Sequence, residues 1–270
     1  MLTQEIMDRI GQAGSWLPVV TVRQAFTHRD ALAPILLEAV EKRAAALDAR
    51  DIVNHRLAAF GVFFLAQNRD RRLFEPLVQL FESMNPEAED EWIFSGRLFF
   101  FGHRLLAGVC PHDPQRPVDL ILNSALKPET RALAVSTIGL LGSYADIARA
   151  DAIRLLRETF KLIQALKQPL ITENWARTAA GLHCREFERE LQSLLASGLL
   201  SHQCRHDIGR ALRGNPDAHL ISGLALEPMV DLFSNVFPMD IRSGEIGLLP
   251  NGQIPGLELF LGDEPRPKHN

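Results

Sequence analysis

Apolar residues recur along most of this chain at the spacing of a helix and nowhere sustain the alternation of a strand. That periodicity constrains the fold more than any motif does. Val53, Leu57, Phe60 and Phe64 fall at i, i+4, i+7 and i+11, one stripe along a helix. Leu73, Leu77, Leu80 and Met84 make a second stripe over 71–84, with Asn85-Pro86 as the stop. Ile153, Leu156, Phe160 and Ile163 make a third over 151–167, and Phe187, Leu191, Leu194 and Leu195 a fourth over 186–200.

The junctions between these stripes are short. A helix is expected to begin at Glu129-Thr130 after Pro128 and end near Gly142, and another to begin at Thr172-Glu173-Asn174 after Pro169. Loops of a few residues between helices make neighbours antiparallel, so the elements should stack as helical hairpins. A faint repeat supports this. The segment from Ala33-Pro34-Ile35 resembles that from Glu75-Pro76-Leu77, and related apolar segments follow at Val118, Ala152 and Glu190. Steps of roughly 35 to 45 residues are those of two-helix solenoids. The expected fold is all-α: stacked antiparallel hairpins in a HEAT- or armadillo-like right-handed superhelix over 1–237. An irregular Gly/Pro-rich segment and polar tail follow over 238–270, with Ile246, Leu248, Leu249, Leu257, Leu259 and Leu261 as anchors for an extended path.

Composition narrows the function classes. A net charge of −4 over 270 residues supplies no general field for gathering nucleic acid or anionic lipid. The excess of Arg over Lys reads as codon usage rather than as a phosphate-binding device. Cys110, Cys184 and Cys204 are too few and too irregular for a disulfide framework, and the N-terminus lacks a secretory signal, so a cytoplasmic location is expected. The longest apolar run, Leu57 to Leu65, is about half of the roughly 20 residues a membrane span requires.

The run Ser15-Trp16-Leu17-Pro18 to Ala25-Phe26, continued by Arg29-Asp30-Ala31-Leu32-Ala33-Pro34-Ile35-Leu36-Leu37-Glu38, resembles the opening of a bacterial family, domain of unknown function 1186. Lys127-Pro128-Glu129-Thr130-Arg131-Ala132-Leu133-Ala134 and Glu186 to Leu200 extend the resemblance, which spans roughly 5–215. The resemblance implies a HEAT-like helical array with no assigned activity. It also implies, in some members, a cysteine-rich zinc-binding tail. The last cysteine here is Cys204, so that tail is not expected.

Few residues offer chemistry. His202 and His206 would share a helix face as zinc ligands could, with Cys204 between them and His183-Cys184 upstream, but Cys204 would point about 200° away from His202. Cys110-Pro111-His112-Asp113 sets a thiol, an imidazole and a carboxylate within four residues. The plainer reading is a loop in which Asp113 makes a turn bond and Cys110 packs inside. Glu87, Glu89, Asp90 and Glu91 ahead of Trp92 read as an acidic first turn. Nine of fifteen Phe lie between Phe60 and Phe101, which reads as core and alternatively as a ligand pocket with Arg97 and His103 as polar contacts. Nucleotide-binding and hydrolase motifs are absent. The expectation is a non-enzymatic scaffold that binds a protein or peptide, with no cofactor, metal or membrane partner; nucleic-acid binding by an Arg-lined concave face ranks last, because the net charge of −4 argues against it. The rival is a small-ligand binder or enzyme using an apolar pocket near 60–104.

Overall fold

The computed structural model of the chain describes residues 2–12, 17–45, 52–84, 95–111, 113–143, 146–182, 185–214 and 239–240. Among the described residues are twelve α-helices, two 3-10 turns and one two-residue parallel strand pair, β1 (Leu17–Pro18) with β2 (Met239–Asp240). The chain is all-α, as its periodicity requires. None of the described helices is long and apolar enough to cross a membrane. The residues fall into two compact units, Met1–Phe64 with Pro228–Asn270, and Leu65–Glu227.

The first unit holds α1 (Leu2–Gln12), α2 (Val19–Thr27), α3 (Arg29–Ala45) and most of α4 (Ile52–Gln67). Ile6, Ile10, Val22, Leu32, Leu36, Val40, Phe60 and Phe64 are buried in it. The Phe64 ring stacks on Phe60 at 5.6 Å and meets Phe26 tilted at 4.9 Å. A Cβ on Gly61 would sit 3.1 Å from the Leu36 carbonyl oxygen, so the bare glycine lets α4 approach α3. The expected stripe on α4 is wider than one face, because every position from Ala58 to Ala66 is buried. Of the segment from 238 onward only β2 is described. The anchors from Ile246 to Leu261 and the tail lie outside the described residues.

The second unit runs through α5 (Phe74–Ser83), α6 (Ser95–Val109), α7 (Arg116–Leu122), α8 (Pro128–Ser143), α9 (Arg149–Leu166), α10 (Pro169–Gly181), α11 (Glu188–Ser197) and α12 (His202–Leu212). Alternate helices pack together: α6 on α8, α8 on α10, and α10 on α12, with α7 on α9. Each of α8 to α11 also packs on the helix that follows it. Pro76 falls in the first turn of α5, where a missing N–H costs nothing, whereas Pro34 is the sixth residue of α3. The two prolines of the faint repeat therefore do not occupy equivalent positions.

Helix ends follow local chemistry. Asp70 accepts from the Arg72 N–H and starts the 3-10 turn Arg71–Leu73, and Ser201 Oγ accepts from the Cys204 N–H at the head of α12. Gly198 ends α11 in the left-handed conformation that glycine adopts without strain. Helix α10 starts at Pro169, three residues earlier than Thr172. A proline at the first helical position has no orphan N–H to satisfy, and Thr172 instead turns its hydroxyl back to the Gln168 carbonyl at 2.9 Å.

Helix α8 is nearly surrounded: ten of its residues are buried. It meets α9 where a Cβ on Gly142 would lie 2.5 Å from the Cβ of Ala152. That close approach draws Ala152 into the core and shifts the buried face of α9 onto Ala152, Leu155, Leu156, Thr159, Phe160 and Ile163, leaving Ile153 half-buried. Gly142→Ala should gain about 0.5–1 kcal/mol of helix propensity and lose about 1–3 kcal/mol to overpacking against a methyl that cannot rotate away. Net destabilisation is expected, read as a lower urea midpoint with an unchanged slope. An equal or higher midpoint would show that the contact between α8 and α9 is looser than described.

Candidate functional site

The helix order of the second unit brings its connections to two edges. On one edge lie 123–127, 167–168 and 198–201, held by bonds between successive hairpins. Glu82, at the end of α5, accepts from the Lys127 N–H at 3.1 Å and from Thr130 Oγ1 at 2.5 Å, so it covers the positive head of α8. Glu173 on α10 does the same for α12, accepting from the Ser201 N–H at 2.6 Å. On the opposite edge Arg69, with left-handed backbone at φ 52°, donates to Asp146 at 2.7 Å. There Arg149 reaches the Leu182 carbonyl at 3.0 Å, and Arg157 reaches that of Glu186 at 2.8 Å while lying over the Phe187 ring.

The first edge also contains a buried cation. Arg131 is 1% exposed. Its Nε donates to the Ile121 carbonyl at 2.8 Å and its Nη1 to Gln168 Oε1 at 3.1 Å, while its Nη2 is buried without a hydrogen-bond partner. Among the described residues no carboxylate offsets the desolvation, and burial holds the guanidinium below its ordinary pKa. Arg131 also stands in the first turn of α8, the end at which the helix dipole repels a cation. That misplaced charge is legible in the sequence Pro128-Glu129-Thr130-Arg131, although the need for Gln168 beside it is not.

Among the described residues, those singled out from the sequence on α12 lie on different sides of the helix. His202 and His206 are exposed on α12, and His206 Nδ1 is 3.7 Å from Asp207 Oδ1. Cys204 is fully buried on the other side of the same helix, its sulfur 4.0 Å from the Glu173 carbonyl. Two residues of helix are about 200° of rotation, which separates the thiol from both imidazoles. Among the described residues no three His, Cys, Asp or Glu side chains are grouped to hold a metal ion.

Cys110 is buried just after α6, and Asp113 makes the turn bond, accepting from the Gln115 N–H at 2.9 Å. His103 is half-buried on α6, and its backbone carbonyl accepts from Thr137 Oγ1 at 3.3 Å. Arg97 occupies the same helix six positions earlier, about 120° away around the axis. Its side chain lies outside the described residues, as do His112, His183, Cys184, Trp92 and the acids 87–91. Phe60, Phe63, Phe64, Phe74 and Phe81 are all core.

Burial pushes the Cys110 thiol up to about 12 and that of Cys204 to about 11. Only the thiolate reacts, so both side chains should resist iodoacetamide at pH 8 in the folded protein and label fully in guanidinium, read peptide by peptide by mass spectrometry. Rapid native labelling of either would place it in an open environment. Because both values are raised on folding, the neutral thiols stabilise the fold below the unfolded value near 9. That contribution is lost as pH climbs towards 11 to 12.

No curated protein and no solved structure matches this chain. The family described as Protein of unknown function (DUF1186) matches residues 1–204. A match over that share of 270 residues places the chain: it belongs to the DUF1186 family.

Proposed function

We propose that this DUF1186 chain is a non-enzymatic scaffold of HEAT-like stacked hairpins that holds a protein or peptide partner. The observation that carries the reading is the packing of every second helix, α6 on α8 on α10 on α12, with α7 on α9. In a two-helix solenoid each hairpin contacts the next in this way, and the stack leaves continuous edges and faces for a partner. Glu82 caps the head of α8 and Glu173 that of α12, so neighbouring hairpins are bonded to one another along one edge. The separation of Cys204 from His202 and His206 supports a binding rather than a catalytic role.

The reading is tested by affinity capture of the tagged chain from its native extract, beside His202→Ala, Cys204→Ala and Cys110→Ala variants. The same partner should be retained by all four proteins at moderate salt, provided circular dichroism shows each variant folded. Loss of the partner from a folded single-residue variant of these three would overturn it in favour of a local chemical site.

A further inference from the structure

Helix α10 begins without a cap. Its first residue, Pro169, has no N–H, and the N–H of Thr172 bonds the Gln168 carbonyl, which leaves the N–H groups of Leu170 and Ile171. A cap residue ordinarily turns a side-chain oxygen onto these positions, and Ser, Thr, Asp or Asn does so best. Gln168 stands at the cap and makes no such bond. Its Oε1 instead meets Nη1 of Arg131 on α8, at 3.1 Å. Among the described residues neither the Leu170 nor the Ile171 N–H has another partner.

That contact carries a guanidinium to the same helix head. Arg131 is 1% exposed, its Nε is engaged by the Ile121 carbonyl, and its Nη2 has no hydrogen-bond partner. A buried charged donor left unmade is destabilising by more than an ordinary hydrogen bond stabilises. An unfilled Nη2 beside two unfilled N–H groups therefore calls for acceptor oxygens. The described carboxylates near α7, α8 and α10 are engaged or turned elsewhere. Glu82 accepts at the head of α8, Glu173 accepts from the Ser201 N–H, and Asp119 acts on Arg116 at the start of α7. Glu129, two residues before Arg131, stands about 200° away around α8.

We propose that the head of α10 and the Arg131 guanidinium together bind a phosphoryl group, with the Gln168 side chain turned aside. Two of its oxygens take Nη1 and Nη2 in the bidentate pattern of a guanidinium fork, and the third takes the Leu170 and Ile171 N–H groups. A carboxylate has only two oxygens and chloride a single centre, whereas a phosphoryl group has three beyond its ester link, and its charge meets the positive end of the helix. Gln168 is half-buried and holds Nη1 by one neutral oxygen, so rotation of its side chain uncovers both terminal nitrogens. The site goes beyond the scaffold reading and does not depend on it. A phosphorylated side chain and free phosphate would present the same three oxygens.

The probe is inorganic phosphate, titrated into the full chain beside chloride and acetate at matched ionic strength. The amide NMR signals of Leu170 and Ile171 should shift to saturation with a Kd of about 1 mM or tighter for phosphate, and acetate should bind at least about tenfold more weakly. With about 10 mM phosphate the thermal midpoint should rise by roughly 3–6 °C over the chloride control. Gln168→Glu places a carboxylate beside Arg131 from within. Its midpoint without phosphate should rise by about 2–4 °C, and its phosphate affinity should fall about tenfold or more. Acetyl-Gly-phosphoserine-Gly-amide, beside its unphosphorylated form, separates the two sources. Tighter binding than inorganic phosphate identifies a phosphorylated side chain as the ligand, and equal or weaker binding identifies free phosphate.

No saturation by phosphate or the phosphopeptide, equal responses to phosphate and acetate or chloride, shifts that spare Leu170 and Ile171, or a lowered midpoint or undiminished phosphate affinity for Gln168→Glu would overturn the proposal.

Discussion

The close packing of α8 governs the second unit. Helices α6, α7, α9 and α10 all pack on it, so it has little face left for water. Two things follow from that burial. Its contacts need small residues where neighbours come closest, which is why glycine stands at 142 opposite Ala152, and at 102 on α6, where a Cβ would press on Leu133. Its polar groups must also find partners inside. Thr137 shares its hydroxyl between the Leu133 and His103 carbonyls, and Ser136 links Asn174 and Thr178 of α10. These bonds fix rotation and register where apolar packing alone would allow sliding. Arg131 is the exception, its guanidinium held at two points with a third left over.

A second cluster secures α9 to α10. Trp175 is fully buried, its ring 4.3 Å from that of Phe160 and edge-on to that of Phe187, and its Nε1 donates to the Leu156 carbonyl at 2.8 Å. The aromatic body supplies buried area while the indole N–H is satisfied by a backbone oxygen, so a polar atom is carried into the core without loss.

Periodicity made the helices of 71–84, 151–167 and 186–200 legible because each has one wet side and one dry side. It misjudged the width of the buried face on α4, because a helix buried all round carries no amphipathic contrast over 58–66. It read α10 late because Pro169 was taken as a boundary when it was the first residue inside. It drew attention to the phenylalanines of 60–101 and passed over Trp175, whose partners lie 15 and 12 residues away in sequence. His202, Cys204 and His206 were visible by residue type alone, and which of them turns inward follows from the phase of α12. The pairing of Arg131 with Gln168 was not readable, since it joins residues 37 apart that meet only once α8 and α10 have packed.

The connection from α9 to α10 contains just Lys167 and Gln168, with Pro169 fixing the next backbone angle. Closing so short a loop costs little chain entropy, and the hairpin it makes brings Trp175 onto Phe160 and the Leu156 carbonyl at once. Folding is then expected to start there and spread outward, each added helix docking on one already in place rather than waiting for distant strands to meet. A chain built this way is expected to mature by accretion, outward from a nucleus closed by one tight turn.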